Sequence, residues 1–318
     1  MNVTSPPGED RLNERDIIDR VRRMASHPAA RNLDDDAALF EGLVITHDSI
    51  AEGVHYLPGD PPETVGWKLA AVNASDLAGK GARPEAALLS LAIRGDGAWE
   101  AAFLDGLEQA LAEFGMALIG GDTIALPHGS PRVLGLTALG RAGPKTPARS
   151  GGKVGDTLWL AGTVGDAAAG LEQLRKEPGS SGALVEAYRR PRPLIAEGQA
   201  LAPLVDAMMD VSDGLLIDAG RMAAASGLRV AIDLSALPLS QAFREARGDG
   251  LEDRLFAATG GDDYALLASG TKQMLGISLP AETRLTAIGR LVEGEGLSLN
   301  HDGAEMRVPE RQGYEHRT

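Results

Sequence analysis

The sequence predicts an α/β or α+β fold in two domains, and three observations support this. The chain of 318 residues is too long for one small hydrophobic core. Apolar runs alternate with helix-like segments in both halves, which indicates interleaved strands and helices. Between the halves, residues 142–156 (AGPKTPARSGGKVGD) are rich in Pro and Gly and are typical of a linker. We therefore expect an N-terminal sheet-and-helix domain at residues 1–142 and a C-terminal α/β domain at residues 143–318.

The N-terminal half begins with a predicted helix, in which apolar residues recur at helical spacing behind Asn13 as the N-cap candidate. A second helix opens with proline and closes with glycine and proline, and a third is stopped by Gly115. Short apolar runs predict the strands. In chain order we expect helix 13–26, strand 43–50, helix 61–84, strand 86–94, helix 98–115, and strands 116–123 and 132–141.

The C-terminal half continues the alternation of strands and helices. Apolar runs of five to eight residues indicate strands, and longer alanine-rich or leucine-rich segments indicate helices. In chain order we expect strand 157–162, helix 166–176, helix 194–207, strand 207–214, helix 215–226, and strands 229–234 and 264–270.

Composition excludes several classes of protein. The chain carries 45 Asp and Glu against 31 Lys and Arg, so it lacks the basic excess expected of a protein that binds nucleic acid. It has no cysteine and therefore no disulfide or thiolate metal site. The first fifteen residues contain no apolar run like that of a signal peptide, and no stretch is apolar enough to span a membrane. We expect a cytoplasmic protein that binds neither nucleic acid nor a membrane.

Carboxylates gather at the ends of the predicted elements. Asp34, Asp35 and Asp36 stand in a row and are either solvated in a turn or arranged around a cation. Each of the other acids taken singly also fits a turn or a helix N-cap. Divalent metals between such carboxylates would let an acidic site hold phosphates. The other acids are Asp48, Asp76, Asp122, Asp210, Asp213, Asp262 and Asp263.

Asp76 is the least easily explained as a turn former. In the predicted helix 61–84 it continues the apolar stripe formed by Val65, Leu69 and Val72. A carboxylate on a buried face needs a partner. A metal ion is one candidate, and an ion pair with Lys68 or Lys80 is the structural alternative.

The GGDT segment, residues 120–123, follows an apolar run that is typical of a buried strand. Two glycines at the end of a strand let the backbone approach a ligand closely. The chain contains no G-x-x-x-x-G-K-[ST] motif, so a nucleotide would have to be bound through a different motif.

Six motifs in order resemble the thiamine-monophosphate kinase family. They are DDDAAL, THDSIAEGVHY, GWKLAAVNASDLAGKGARP, IGGDT, DVSDGL and GGDDYALL. The resemblance extends from Asp34 to Tyr314, and the wider superfamily includes aminoimidazole ribonucleotide synthetase and selenophosphate synthetase. It implies a two-domain fold of the aminoimidazole ribonucleotide synthetase type. It also implies Mg²⁺-dependent transfer of a phosphoryl group from ATP to thiamine monophosphate, giving thiamine diphosphate and ADP.

The resemblance also implies roles for individual residues. The metal ligands would be Asp36, Thr46, His47, Asp48, Asp76, Asp122, Asp210 and Asp213. The nucleotide would contact Gly121, Asp122, Arg149 and Ser212, and thiamine monophosphate would contact His55, Asp262 and Tyr314. Asp210, Asp213 and Arg149 would act directly in catalysis. The N-terminal domain would bind ATP and metal and form a homodimer, and the C-terminal domain would complete the active site.

Three positions depart from the family pattern. Asp34 stands where the family has Gly. His47 replaces a Thr, so the hydroxyl ligand of that position is lost. The alternatives for His47 are a metal contact through its side chain, a contact through its backbone carbonyl, or no contact. Asp262 replaces a Glu and is one methylene shorter. His55 also has a structural interpretation, since polar side chains in such loops often cap the backbone.

Phosphoryl transfer needs in-line positioning and charge stabilisation more than a protein nucleophile. The terminal phosphate of thiamine monophosphate can attack ATP directly, so we expect neither a general base nor a phosphoenzyme. Two alternatives stay open. One is another enzyme of the superfamily, aminoimidazole ribonucleotide synthetase-like or selenophosphate synthetase-like. The other is a non-catalytic nucleotide sensor.

Overall fold

The computed structural model describes residues 14–127 and 129–315, and its strands form two separate sheets. A short 3₁₀ helix, Pro28–Leu33, leads from the first helix to the first strand. The N-terminal elements are helix α1 (Glu14–Met24), strands β1 (Ala38–Phe40) and β2 (Leu43–Ala51), helix α2 (Pro62–Gly79), strand β3 (Arg83–Ile93), helix α3 (Gly97–Phe114), and strands β4 (Ala117–Ala125) and β5 (Val133–Arg141).

The N-terminal sheet has the strand order β1-β2-β5-β3-β4. All neighbouring strands are antiparallel except β3 and β4, which are parallel and are connected through α3. Helices α2 and α3 share a hydrophobic core with the sheet, to which Leu69, Phe103 and Leu136 contribute fully buried side chains. This core holds α2, and with it Asp76, against strand β2.

Two glycines set the distance between α2 and α3. A Cβ atom on Gly66 would lie 2.1 Å from the Phe103 carbonyl oxygen, and one on Gly106 would lie 1.9 Å from the Glu63 carbonyl oxygen. Neither position has room for a side chain, so the helix backbones are in direct contact at this crossing.

The C-terminal half forms the second sheet and most of its covering helices. Three short 3₁₀ helices, Leu234–Ala236, Lys272–Met274 and Pro280–Glu282, lie between the regular elements. The regular elements are β6 (Thr157–Ala161), α4 (Asp166–Lys176), α5 (Ala183–Arg189), α6 (Ile195–Leu201), β7 (Ala207–Val211), α7 (Leu215–Ala225), β8 (Arg229–Asp233), α8 (Gln241–Ala246), α9 (Leu251–Thr259), β9 (Ala265–Gly270), β10 (Leu285–Val292), β11 (Gly296–His301) and β12 (Ala304–Met306).

The second sheet has the strand order β12-β11-β8-β10-β6-β9-β7, and its strands β6, β7 and β9 are buried on both faces. In β6, Leu158 and Leu160 belong to the larger core under α7, whereas Trp159 belongs to a second core with α6. The second core also contains Ala78 from the end of α2. Helix α2 therefore packs against both sheets and connects the two halves of the molecule.

The predicted α/β or α+β fold of the aminoimidazole ribonucleotide synthetase type is confirmed, and most predicted elements are present within a few residues of their expected bounds. Gly115 ends α3 in the left-handed conformation, as expected. The N-cap prediction for Asn13 lies outside the described residues. Residues 142–156 contain no helix or strand, and the domain boundary expected there stays a prediction.

The prediction of one helix over residues 194–207 is wrong in its second half. Helix α6 ends at Leu201, and the chain then turns into β7, which begins at Ala207. Pro203 cannot donate a backbone hydrogen bond, so the helix does not continue through it. The predicted strand 207–214 likewise ends early, because residues 212–214 form the loop that leads into α7.

No helix in the described part of the chain is long and apolar enough to cross a membrane.

Candidate active site

Three carboxylates from distant parts of the sequence meet beside helix α2. Asp36 precedes β1, Asp76 lies in α2, and Asp210 lies in β7 of the second sheet. Each offers one oxygen atom, and the three oxygens lie within 4.8 Å of one another. We call Asp36, Asp76 and Asp210 the acidic cluster. Asp48, in β2, is close enough for its charge to raise the pKa of both Asp76 and Asp210.

Asp36 is the member of the acidic cluster that is held in its charged form. Burial raises its pKa, but the charges of Lys80 and Arg149 outweigh that effect and hold the value at about 2. The Lys80 ammonium lies 2.7 Å from Asp36 Oδ2, and Arg149 pairs with the other carboxylate oxygen. Asp36 Oδ2 is buried, and the Lys80 ammonium group is the cation that it contacts in this structure.

The pKa values of Asp76 and Asp210 are raised and not lowered. The pKa of Asp76 is well above its ordinary value, and that of Asp210 rises to about 8. Burial is the largest cause of both shifts, and the charges of neighbouring carboxylates add to it. Each accepts one hydroxyl hydrogen bond: Thr46 donates to Asp76, and Ser75 donates to Asp210 Oδ2 over 2.6 Å. Ionisation of these two buried acids would therefore require positive charge close by.

The structural alternative for Asp76, an ion pair with Lys68 or Lys80, is not what the structure contains. Lys68 pairs with Asp262, and Lys80 pairs with Asp35 and Asp36. Within the described residues, the Asp76 carboxylate accepts a hydrogen bond from the Thr46 hydroxyl and pairs with neither ammonium group.

The three consecutive acids have different environments. Asp34 is exposed and pairs with Arg22 on α1. Asp35 is buried between Arg31 and Lys80 and also accepts the backbone N–H of Arg149 over 3.2 Å. Asp36 alone belongs to the acidic cluster. The solvated interpretation therefore fits Asp34, and the role of Asp36 as a metal ligand stays a prediction.

The loop between β7 and α7 carries Ser212 and Asp213, and its shape depends on Asp218. The buried Asp218 Oδ2 accepts the backbone N–H groups of Ser212, Asp213 and Gly214 over 3.1, 3.1 and 3.2 Å. Arg221 pairs with both Asp213 and Asp218, over 2.5 and 2.8 Å. Burial, partly offset by Arg221, raises the pKa of Asp218 to about 6.

Sequence reasoning missed Asp218, although a signal was present. It lies among the apolar residues of α7, as Asp76 lies in the stripe of α2, and the same argument would have identified it. Because Asp218 occupies three N–H groups of the loop, a nucleotide contact from Ser212 would have to use its hydroxyl or its carbonyl group.

Thr46 and His47, both expected at the metal site, lie on opposite faces of strand β2, and of the two side chains only that of Thr46 contacts the acidic cluster. Thr46 is buried on the helix-covered face of β2 together with Val44 and Ile50. His47 alternates with them, and its exposed ring lies 2.9 Å from the Thr137 hydroxyl. The His47 side chain therefore does not reach the acidic cluster, and a contact through its carbonyl stays a prediction.

The GGDT segment lies inside β4 and not at the end of a strand as expected. β4 pairs with β3 through this segment, with Gly121 opposite Leu89 and Asp122 opposite Ser90. A Cβ on Gly121 would lie 2.0 Å from the Leu89 carbonyl oxygen, so glycine is required there by the sheet itself. Asp122 is exposed on this edge strand and is not part of the acidic cluster.

The residues expected to contact thiamine monophosphate lie around Lys68 and the 212–214 loop. Lys68 Nζ donates to the His55 carbonyl over 2.9 Å and to Asp262 Oδ2 over 2.8 Å. The His55 ring accepts the Ala51 N–H through Nδ1, which is the backbone-capping contact considered above. The Tyr314 N–H donates to the Asp213 carbonyl over 2.8 Å.

Asp263 has a structural role. Both of its carboxylate oxygens accept the N–H of Gly165, over 2.8 and 2.9 Å, at the start of α4. Burial raises its pKa well above the ordinary value. The turn interpretation of Asp263 is thus correct, and only Asp262 of the pair points toward Lys68.

Comparison with known proteins identifies relatives over nearly the whole chain. Residues 34–142 match the family AIR synthase related protein, N-terminal domain, and residues 153–302 match the corresponding C-terminal domain. The chain is 36% identical to thiamine-monophosphate kinase from Caulobacter vibrioides over 321 residues, which cover 95% of this chain and 90% of that protein. It is also 36% identical to thiamine-monophosphate kinase from Salmonella typhimurium, over 94% of this chain and 95% of that protein.

Two solved structures are similar along their whole length. One is AaThiL complexed with AMPPCP and TMP, with a TM-score of 0.85, 30% identity, and coverage of 99% of this chain and 100% of that one. The other is thiamine monophosphate kinase from Aquifex aeolicus, with a TM-score of 0.80, 31% identity, and coverage of 93% and 98%.

Proposed function

The chain belongs to the thiamine-monophosphate kinase family, and from this premise we propose that it phosphorylates thiamine monophosphate with ATP, giving thiamine diphosphate and ADP. The observation that carries the proposal is the acidic cluster, in which Asp36 and Asp76 from the first half meet Asp210 from the second. A related structure, AaThiL complexed with AMPPCP and TMP, contains an ATP analogue and TMP together.

We propose Mg²⁺ as the cation of this site. The donors are carboxylate and hydroxyl oxygens, which are the hard ligands that Mg²⁺ prefers. One oxygen from each of the three carboxylates lies within 4.8 Å of the other two, which is close enough for one ion to contact all three. Asp36, Asp76 and Asp210 would hold the cation directly, with Thr46, Asp48 and Asp213 nearby. When bound, Mg²⁺ neutralises the charge of the phosphates and orients their oxygens.

The protein's own contribution is to position the two substrates. Arg149 lies beside Asp36 at the domain boundary, where its guanidinium group would stabilise negative charge on the transferred phosphoryl group. The terminal phosphate oxygen of thiamine monophosphate would attack the γ-phosphorus in line, and ADP would leave. This route needs no protein nucleophile. His55 already uses Nδ1 to cap the 51–55 turn, which supports a positioning role for it.

The proposal assigns a task to each half of the chain. Residues 1–142 would bind ATP and metal and form the dimer, and residues 143–318 would complete the site. Support for a homodimer comes from strand β4, which is exposed along its whole length at the edge of the sheet. An exposed edge strand with apolar side chains is a surface that proteins normally cover. The exposed apolar residues there are Leu118, Ile119 and Ile124.

The roles of Asp122 and Gly121, both on β4, as metal and nucleotide contacts stay predictions, as does the cytoplasmic location. The two alternative functions, another enzyme of the superfamily and a nucleotide sensor, are not favoured, because relatives at 36% identity over nearly the full length are thiamine-monophosphate kinases.

The test is a mass-spectrometric assay of the purified protein with ATP, Mg²⁺ and thiamine monophosphate. We expect thiamine diphosphate to form in equal amount with ADP. A sensor would release no ADP in response to thiamine monophosphate. Another enzyme of the superfamily would leave thiamine monophosphate unchanged, and either result would contradict the proposal.

A further inference from the structure

Lys68 is a buried ammonium group at the boundary between the two halves of the molecule. Its side chain is 2% exposed, although it projects from α2, the helix that packs against both sheets. A buried charge is costly unless it is paired and hydrogen bonded. Lys68 meets this need through three groups: the His55 carbonyl, the Asp262 carboxylate, and the ring of Tyr188, whose centroid lies 4.1 Å from Nζ.

The three groups come from three different segments. The His55 carbonyl belongs to the turn after β2, Asp262 to the loop before β9, and Tyr188 to α5. The first segment is in the N-terminal half and the other two are in the C-terminal half. One ammonium group therefore fixes the distance between two loops that the proposed function assigns to substrate recognition.

Asp262 is held on both of its oxygens. Oδ2 accepts from Lys68 over 2.8 Å, and Oδ1 accepts from the Tyr264 hydroxyl over 2.9 Å. The backbone at Asp262 has φ of 68° and that at Tyr264 has φ of 52°, which are left-handed values that non-glycine residues rarely adopt. Such a conformation persists only where surrounding contacts enforce it. Lys68 supplies one of these contacts from the other half of the chain.

We propose that Lys68 is a positioning residue for thiamine monophosphate. It holds the carboxylate of Asp262 and the His55 turn in one fixed arrangement, and this arrangement receives the thiamine part of the substrate. The inference rests on the proposed function and extends it to a residue outside the predicted site. The inference also predicts that Lys68 affects the binding of thiamine monophosphate and not that of ATP. The basic residues that contact the acidic cluster are Lys80 and Arg149, and Lys68 is not one of them.

The test compares steady-state kinetics of the wild type with those of Lys68→Met, which keeps most of the side-chain volume and removes the ammonium group. We expect the KM for thiamine monophosphate to rise about ten- to a hundred-fold, as for the loss of a hydrogen bond to a charged group. The KM for ATP should change less than about two-fold on the same argument. Lys176→Met is the matched control, because Lys176 forms an exposed ion pair with Glu172 and should change neither value.

Two further variants, Lys68→Arg and the double variant Lys68→Met/Asp262→Asn, test the same contact. Lys68→Arg retains the charge and should fold even if Lys68→Met does not. Its planar guanidinium cannot reproduce the three contacts, so the KM for thiamine monophosphate should still rise selectively. The double variant Lys68→Met/Asp262→Asn should be no worse than the more damaging single variant, because both changes remove the same contact.

Equal increases in both KM values would overturn the inference, since they would mean that Lys68 only maintains the fold. Strictly additive effects of Lys68→Met and Asp262→Asn would overturn it as well. A wild-type protein that formed no thiamine diphosphate would instead contradict the proposed function itself, before any variant is compared.

Discussion

Asp218 illustrates how one buried carboxylate can shape a functional loop. It accepts three successive backbone N–H groups from Ser212 to Gly214 and pairs with Arg221, and so fixes the loop that carries Asp213. A carboxylate that satisfies several N–H groups at a turn before a helix neutralises the positive end of the helix dipole. Its effect on the site is indirect, through the loop.

We expect Asp218→Asn to lower both stability and ATP affinity. The amide offers one acceptor oxygen, but its NH₂ group faces the Arg221 guanidinium, so at least one hydrogen bond to a charged group is lost. The free energy of unfolding should fall by about 1–3 kcal/mol. The KM for ATP should rise more than the KM for thiamine monophosphate, because the loop carries Ser212 and Asp213.

Asp206→Asn is the matched control, because Asp206 pairs with the largely exposed Lys153. Loss of this ion pair should change the free energy of unfolding little. Thermal unfolding and steady-state kinetics of both variants check the prediction. If Asp218→Asn and Asp206→Asn changed thermal unfolding and the two KM values equally, Asp218 would have no special role in the loop.

At the scale of single residues, sequence reasoning identified the carboxylates of the site but not the residues that pair with them. Asp76 could be assigned to the buried face of α2 from its spacing alone. The Lys68–Asp262 pair could not be predicted, because the two residues are 194 positions apart and lie in different halves of the chain. The locations of His47 and Asp122 likewise depend on strand register and sheet order, which local pattern does not determine.

At the scale of elements, α2 contributes most to the site. It carries Asp76, Ser75 and Lys68, packs against the N-terminal sheet, and reaches the second core through Ala78. Its contact with α3 is close because Gly66 and Gly106 lie where the two backbones cross. The position of this helix therefore sets the geometry of the acidic cluster and of the Lys68 contacts at once.

Gly106→Ala should destabilise the protein. The new Cβ would lie 1.9 Å from the Glu63 carbonyl oxygen, so α2 and α3 would have to separate. Overpacking of this kind typically costs about 1–3 kcal/mol or more. Denaturant unfolding measures the change.

Gly220→Ala in α7 is the control, since a Cβ there meets nothing within 4 Å. Alanine is the better helix former, so that variant should be neutral or more stable by up to about 1 kcal/mol. A Gly106→Ala protein as stable as the wild type would show that the helix crossing tolerates separation.

The elements that the sequence predicted well are those with strong local signals. Gly115 marks the end of α3, and the apolar runs of β2, β3 and β5 match their strands closely. The elements it missed are short, such as β12 and α8, or lie where polar residues interrupt the apolar pattern, as in β10. Tertiary contacts stabilise such short elements more than local propensity does.

At the scale of the whole molecule, the acidic cluster makes stability depend on pH and on cations. Asp210 has a pKa of about 8 in the folded protein and an ordinary value near 4 when unfolded, mainly because of burial. Between these values the folded state binds more protons than the unfolded state. The free energy of unfolding therefore falls as the pH rises from about 4 to about 8. Asp218, with a pKa of about 6, contributes in the lower part of that window.

We expect the melting temperature in EDTA to be lower at pH 8 than at pH 6, and Mg²⁺ to raise it more at pH 8. A cation that binds only the folded state stabilises it and favours the ionised carboxylates. Asp210→Asn is the control, and its melting temperature should depend less on pH. A wild-type melting temperature in EDTA that increased from pH 6 to pH 8 would contradict the assignment.

The central claim is that acids from both halves of the chain form one metal-dependent site for phosphoryl transfer. The most direct test is the rate of thiamine diphosphate formation by Asp76→Asn and Asp210→Asn, one variant in each half. Asn resembles the neutral carboxyl group that burial favours at both positions, so both variants should fold, as circular dichroism can show. We predict that each loses turnover by about two to three orders of magnitude or more, and that EDTA abolishes wild-type turnover until Mg²⁺ is restored. Near-normal turnover by Asp210→Asn, or undiminished wild-type activity in EDTA, would contradict the account.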